Sequence, residues 1–200
     1  MVKTLLAAFL LFLIAVPALA QDDFPRIEVG FGYANLTLPP PAASPATGIL
    51  SGAPTPTATG STHNSGFSMV TDLNFTKTFG FENYTGYHSL GNGAQLFANV
   101  MCGKVAYRTD KFTPYATAGI GGANSIVNAG GFYASSGSGL ATKLGGGVDY
   151  RFSDVMALKF DVSRLQVHSP VYDPFTGLQT GSVWLGKFNL SAGIVLTIMQ

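Results

Sequence analysis

The chain has 200 residues, of which 46% are hydrophobic, 12% aromatic and only 10% charged, with 25 glycines and one cysteine. A soluble domain carries roughly 25% charged residues, so this balance disfavours a helix-rich soluble enzyme, a disordered tail or a basic nucleic-acid binder. Cys102 rules out an intrachain disulfide scaffold, and no apolar run of about 18 residues is available to cross a bilayer as a helix.

The first twenty residues have the layout of an export signal. Lys3 supplies the positive start, Leu5 to Val16 an apolar stretch, and Ala18-Leu19-Ala20 a small-x-small site, so cleavage is expected between Ala20 and Gln21. Residues 21–200 then form one domain in which ten basic residues balance ten acidic ones. Such neutrality gives no electrostatic steering toward nucleic acid or an acidic surface.

Beyond the signal the dominant period is two, the period of a strand with two unlike faces. Ile27, Val29, Phe31 and Tyr33 alternate with Glu28, Gly30 and Gly32, and Phe67, Met69 and Leu73 with Ser68 and Asp72. Leu144, Val148, Tyr150 and Phe152 alternate with Lys143, Gly145, Gly147, Asp149 and Arg151. Phe188, Leu190, Ala192, Ile194, Leu196 and Ile198 give the cleanest run. Eight strands are expected, near 25–36, 66–76, 79–89, 95–108, 114–126, 139–152, 155–167 and 183–199. The third is weakly patterned, because Asn83 and Thr85 share a face with Phe81 and Tyr87.

The connections alternate in length. Segments near 37–65, 90–94, 127–138 and 168–182 read as loops, most of them long, while 76–78, 109–113 and 153–154 read as tight turns. This predicts an all-β, eight-stranded, antiparallel up-and-down transmembrane barrel with both termini on the short-turn side. A soluble barrel would need many charges on its outward polar face. Here that face is mostly small and uncharged, which suits the cramped lumen of a small barrel.

The charges sharpen the assignment of faces. Arg26, Glu28, Asp72, Glu82, Lys104, Arg108, Lys143, Asp149, Arg151, Lys159, Asp161 and Lys187 all fall on the inward parity, and only Arg164 falls outward, near the outer rim. A charge on the lipid face at mid-bilayer costs about 2–4 kcal/mol, so the avoidance has a physical cause. Near-balanced charges inside a narrow lumen are expected to pair across it and close it. Phe75, Phe79, Tyr107, Phe112, Tyr115, Tyr150 and Phe152 flank the short turns and predict an aromatic girdle at that interface.

The segment Leu144 to Asp154, followed by Ala157 to Asp161, resembles the strand-turn-strand near the end of small outer-membrane β-barrels of the OmpA/OmpX type. Thr113-Pro114-Tyr115 with Gly119-Ile120-Gly121-Gly122 is similar to the preceding strand of that family. The resemblance covers 24–200 and implies inward charges at Asp149, Arg151, Lys159 and Asp161, lipid on the apolar parity, and no catalytic residues. The closing Thr197-Ile198-Met199-Gln200 departs from the aromatic residue with which family members usually end.

Other candidate chemistry is weaker. Gly119-Ile120-Gly121-Gly122 and Gly145-Gly146-Gly147 lead into no helix, so they read as strand glycines and not as phosphate loops. His168-Ser169 invites comparison with a small outer-membrane lipid A deacylase, but adjacent strand residues point to opposite faces. His63 and His88 are too dispersed for a metal site, and Cys102 reads as a small buried residue. The four Asn-x-Ser/Thr sequons, at Asn35, Asn74, Asn83 and Asn189, fall in or beside strands and read as chance.

The expected function is non-enzymatic: a structural or surface-interaction role in the bacterial outer membrane, carried by extracellular loops. A small-solute channel is the alternative, and a lipid A-modifying enzyme a more distant one. No catalytic, metal or cofactor site is expected. Outer-membrane lipid and lipopolysaccharide are the expected surroundings, the barrel-assembly machinery the partner during biogenesis, and an extracellular ligand of the loops is left unidentified.

Overall fold

A computed structural model describes residues 24–38, 62–91, 94–129, 132–172, 179–186 and 188–199. The expected signal segment, its cleavage site at Ala20 and Gln21, and most of the first loop lie outside them, as does Lys187. Among the described residues the strands are β1 (Ile27–Leu38), β2 (Thr62–Asn74), β3 (Phe79–Gly91), β4 (Ala94–Ala106), β5 (Phe112–Ala129), β6 (Phe132–Ser153), β7 (Met156–Tyr172), β8 (Gln179–Leu185) and β9 (Phe188–Met199). Each pairs antiparallel with its sequence neighbour except across β8–β9, and β1 pairs with β9, so the sheet closes on itself.

Nine segments make eight staves. β8 pairs with the upper part of β7 and β9 with its lower part, so both belong to one stave interrupted at Gly186. Gly186 has φ 93°, a backbone state open to glycine and strained for residues with a Cβ. The expected eighth strand is therefore a broken one.

Several loops are shorter than the sequence suggests. β5 and β6 stay paired to Ala129↔Phe132, where residues 127–138 read as a loop. β7 and β8 stay paired to Tyr172↔Gln179, and β2 begins at Thr62. Gly- and Ser-rich stretches look loop-like because they lack large side chains, yet their backbones satisfy a ladder as well as any others. His168 accordingly lies in a strand and not at a loop base.

The turns opposite those loops are tight, as the spacing predicts. The Thr76 hydroxyl accepts from Phe79 N at 2.9 Å, and the Thr109 hydroxyl accepts from Phe112 N at 3.1 Å. Side-chain closure of this kind is what threonine offers a short turn.

Burial runs opposite to that of a soluble protein. Leu144 is 64% exposed while its neighbour Lys143 is 2% exposed. Phe31, Phe67, Phe81, Ile120, Phe160, Leu190 and Ile194 all face outward. Such a continuous apolar exterior requires a hydrocarbon solvent.

Candidate functional site: the filled lumen

The lumen divides into two zones along the barrel axis. The zone nearest the short turns holds ion pairs. Five carboxylates (Glu28, Asp72, Glu82, Asp149, Asp161) and five bases (Lys104, Arg108, Lys143, Arg151, Lys159) take part in them. At the mouth, Glu28 lies 3.3 Å from Arg151 and 3.8 Å from Arg108, and Asn74 donates to it at 3.1 Å. Burial lowers the Arg108 pKa from its ordinary value, with Glu28 opposing that shift.

Deeper in, Lys104 contacts Asp72 at 2.8 Å and Asp149 at 3.7 Å. Lys159 stands among three carboxylates, at 3.1 Å from Glu82 and 3.6 Å from both Asp72 and Asp149. Its ammonium makes no directed hydrogen bond, so it is held by the summed charge around it. Lys143 lies 2.9 Å from Glu82 and 3.2 Å from Asp161, and donates to the Thr117 hydroxyl. Ser163 donates to the other oxygen of Asp161 at 2.8 Å.

These contacts cross the barrel. Glu82 of β3 meets Lys143 of β6, and Asp72 of β2 meets Lys159 of β7. Alternation places each side chain inward, and closure of the sheet brings distant strands together. Arg26, also buried, is arranged differently: its guanidinium lies 5.0 Å from the Phe24 ring.

Two tyrosines in this zone are absent from the sequence-derived network. Tyr115 was expected in the aromatic girdle, but it is 7% exposed and faces the lumen. Its hydroxyl donates to Asp161 at 3.1 Å, and its ring lies 4.0 Å from the Lys159 ammonium and 4.5 Å from that of Lys104. The parity of β5 carries the signal: Thr113, Tyr115 and Thr117 are buried between exposed Pro114 and Ala116. Tyr115 pairs with Gly147 across the ladder, and a methyl there would collide with its ring. Tyr84 lies beneath the Lys143 ammonium and accepts from Asn189 at 3.1 Å.

Above Tyr84 the lumen turns largely apolar, with His88 and Asn64 among the buried polar side chains there. Leu36, Leu96, Ala98, Val100, Ala123, Ala141, Leu165 and Val167 form one buried cluster with Tyr84. Beside Lys159 a gap of about 10 Å³ remains, room for about one water. A larger cleft of about 510 Å³ opens at the short-turn mouth beside Arg108 and Arg151.

The other candidate residues are placed as follows. Gly119, Gly121 and Gly122 lie in β5 and Gly145 to Gly147 in β6, with no helix following. His168 faces outward and packs on Trp184 at 4.8 Å between ring centroids. Cys102 is fully buried within the apolar cluster. Among the described residues no three His, Cys, Asp or Glu side chains converge as a metal group.

An all-antiparallel closed sheet with an apolar exterior and a charged lumen defines a transmembrane β-barrel. The chain matches the outer membrane protein beta-barrel domain over residues 6–194, and it belongs to that family. Its fold is similar to that of Neisserial surface protein A, with TM-score 0.62 and 13% identity over 86% of this chain and 97% of that one. It is also similar to the outer membrane protein OprG from Pseudomonas aeruginosa, with TM-score 0.51 and 13% identity over 87% and 96%. At these identities the likeness is one of fold. No curated protein matches the chain in sequence.

Proposed function

We propose that this protein is a closed, non-enzymatic outer-membrane barrel that holds its longer connections at the cell surface for a structural or interaction role. The observation that carries the reading is the filling of the lumen: Asp72, Glu82, Lys104 and Lys143 are 0–2% exposed, and Leu36, Leu96 and Leu165 lie above them at the same depth of burial. Buried charges are costly unless paired, and aliphatic side chains in a pore exclude water and ions. In this reading neither zone offers a hydrated path.

In this reading the chain is exported by residues 1–20 and inserted by the barrel-assembly machinery. Its short turns face the periplasm, and its outer half is surrounded by lipopolysaccharide. The first loop, near 37–65, carries Pro39-Pro40-Pro41 and many Ala and Thr residues, a composition that suits weak contact with an external ligand. His168 packs on Trp184 on the outer wall, which gives a side-chain role that needs no catalysis.

Liposome swelling is the direct test. Proteoliposomes carrying the folded barrel are expected to swell no faster in small sugars than empty vesicles. Swelling that grows with protein content would restore the small-solute channel. A lipid A mass shift on expression, lost in His168→Ala, would restore the lipid-modifying enzyme.

A further inference from the structure

We propose that two copies of this barrel pair side by side in the membrane, through a polar island on the outer wall formed by Thr71, Asn83, Thr85 and Asn99. The pairing depends on the lipid-facing wall and not on whether the lumen conducts.

The island lies where the pattern of the third strand is weak. The parity of β3 is intact: Phe79, Phe81, Asn83, Thr85 and Tyr87 face outward, between buried Gly80, Glu82, Tyr84 and Gly86. Asn83 and Thr85 therefore stand on the lipid face. The ladder sets Asn83 opposite Thr71 of β2 and Thr85 opposite Asn99 of β4. Four polar side chains on three adjacent strands make one patch. On the other side of the barrel the same height is apolar, with Leu158, Phe160 and Val162 outward on β7.

Two observations set the depth of the patch. Asn83 and Thr85 lie four and six residues beyond Phe79, the first residue of β3. With a rise of about 3.3 Å and a tilt of about 40°, they stand about 10 and 15 Å above the short turn, well inside an apolar band about 25 Å tall. Aromatic rings also frame the patch. Phe75 and Phe81 meet edge-on below it with centroids 5.3 Å apart, and Phe67 and Tyr87 stack above it at 5.1 Å.

Hydrocarbon offers no hydrogen bond, so polar groups at this depth are satisfied by protein or left uncompensated. The barrel meets the need only in part. Asn99 donates to the Thr85 hydroxyl at 2.8 Å, which uses one of the two donors of its amide. Asn83 Oδ1 is enclosed without a hydrogen-bond partner.

A second copy supplies what lipid cannot. Asparagine amides and threonine hydroxyls each donate and accept, so the patch is complementary to itself. A two-fold axis along the membrane normal brings like residues together at one depth, as an isologous interface requires. The wall beside the island allows close approach. Gly103 lies opposite Phe81, and a Cβ built there meets nothing closer than the Ala118 carbonyl at 3.9 Å. Small residues of this kind let membrane-embedded backbones come near one another. Met69 and Met101, the other ladder neighbours of Thr85 and Asn83, add adaptable apolar contact.

Förster transfer in lipid vesicles tests the pairing, with donor and acceptor dyes on Lys77→Cys in a Cys102→Ser background and the barrels diluted stepwise in lipid. The parent is expected to pair, and the double variant Asn83→Leu/Asn99→Leu to need about tenfold higher density for the same transfer. Asn99→Gln, which keeps the amide, is expected to fall between them. Leu158→Ala, four staves away, is expected to pair like the parent. Heated and unheated gel mobility checks that each variant is folded. Thr71→Val/Thr85→Val, which keeps side-chain shape and removes both hydroxyls, is a second probe expected to weaken pairing in the same direction. Equal transfer by the parent and both double variants would overturn the proposal. So would parent transfer no greater than random proximity gives at every density. Purified barrels that stay single, while cross-linking in native membranes joins the island to a different protein, would assign the patch to that protein and overturn it equally.

Discussion

The two zones of the lumen close the same space by opposite chemistry. Near the short turns, Lys159 is held among Glu82, Asp72 and Asp149, so its position depends on partners from β2, β3 and β6. Near the loops, Leu36, Leu96 and Leu165 pack in one buried cluster, with the buried side chains of His88 and Asn64 beside them. An ion-paired zone fixes which strands face one another, since each charge fits one arrangement of carboxylates. An aliphatic zone tolerates small shifts in register but admits no ions. The pairing supplies specificity and the apolar cap supplies the seal.

This contrast can be broken first at Lys159. Lys159→Met removes one cation from among three buried carboxylates and is expected to destabilise the barrel by about 3–5 kcal/mol. Urea unfolding in lipid vesicles, followed through the emission of Trp184, measures it. The same variant is expected to remain non-conducting because the cap is intact. Conductance from Lys159→Met alone would show that the lower zone is the seal.

In the upper zone, Leu165→Ala is expected to cost about 2–4 kcal/mol through the cavity it leaves, by the same unfolding assay. It too should stay closed, since the ion-paired zone beneath is untouched. A loss larger than that of Lys159→Met would reverse the ranking of the two zones.

Tyr115→Phe sharpens the boundary of the lower zone. Removing the hydroxyl that donates to Asp161 is expected to cost about 1–2 kcal/mol. A girdle residue facing lipid would lose almost nothing from the same change, so the assay separates the two placements. Lys77→Gln, in an exposed turn, is expected to shift stability by less than about 0.5 kcal/mol.

The placement of charges was legible in the sequence because lipid punishes an outward charge at every strand position it reaches. Alternation alone therefore sends Glu28, Asp72, Glu82 and Lys143 inward. Their partners were not legible: Glu82 and Lys143 are 61 residues apart, and the strand order that joins them exists only once the sheet closes.

Tyr115 was misplaced by proximity to a turn, although its parity matched Thr113 and Thr117. The apolar cap escaped for a related reason. Above the hydrocarbon edge the pattern reverses, as at Leu165-Gln166-Val167-His168, so a reader following apolar-outward parity ends the strand too early. β2, β5 and β6 extend beyond their expected limits through polar and Gly- or Ser-rich stretches whose backbones keep the ladder. The break at Gly186 had no strong signal, since glycine recurs throughout these strands without a positive φ.

Single-molecule conductance of the wild-type barrel in planar bilayers tests the closed lumen most directly. With Lys159 and its carboxylates below and the leucine cluster above, insertion is expected to produce no steady current steps at any applied voltage up to bilayer breakdown. Reproducible, ohmic steps from folded, heat-modifiable protein would contradict it.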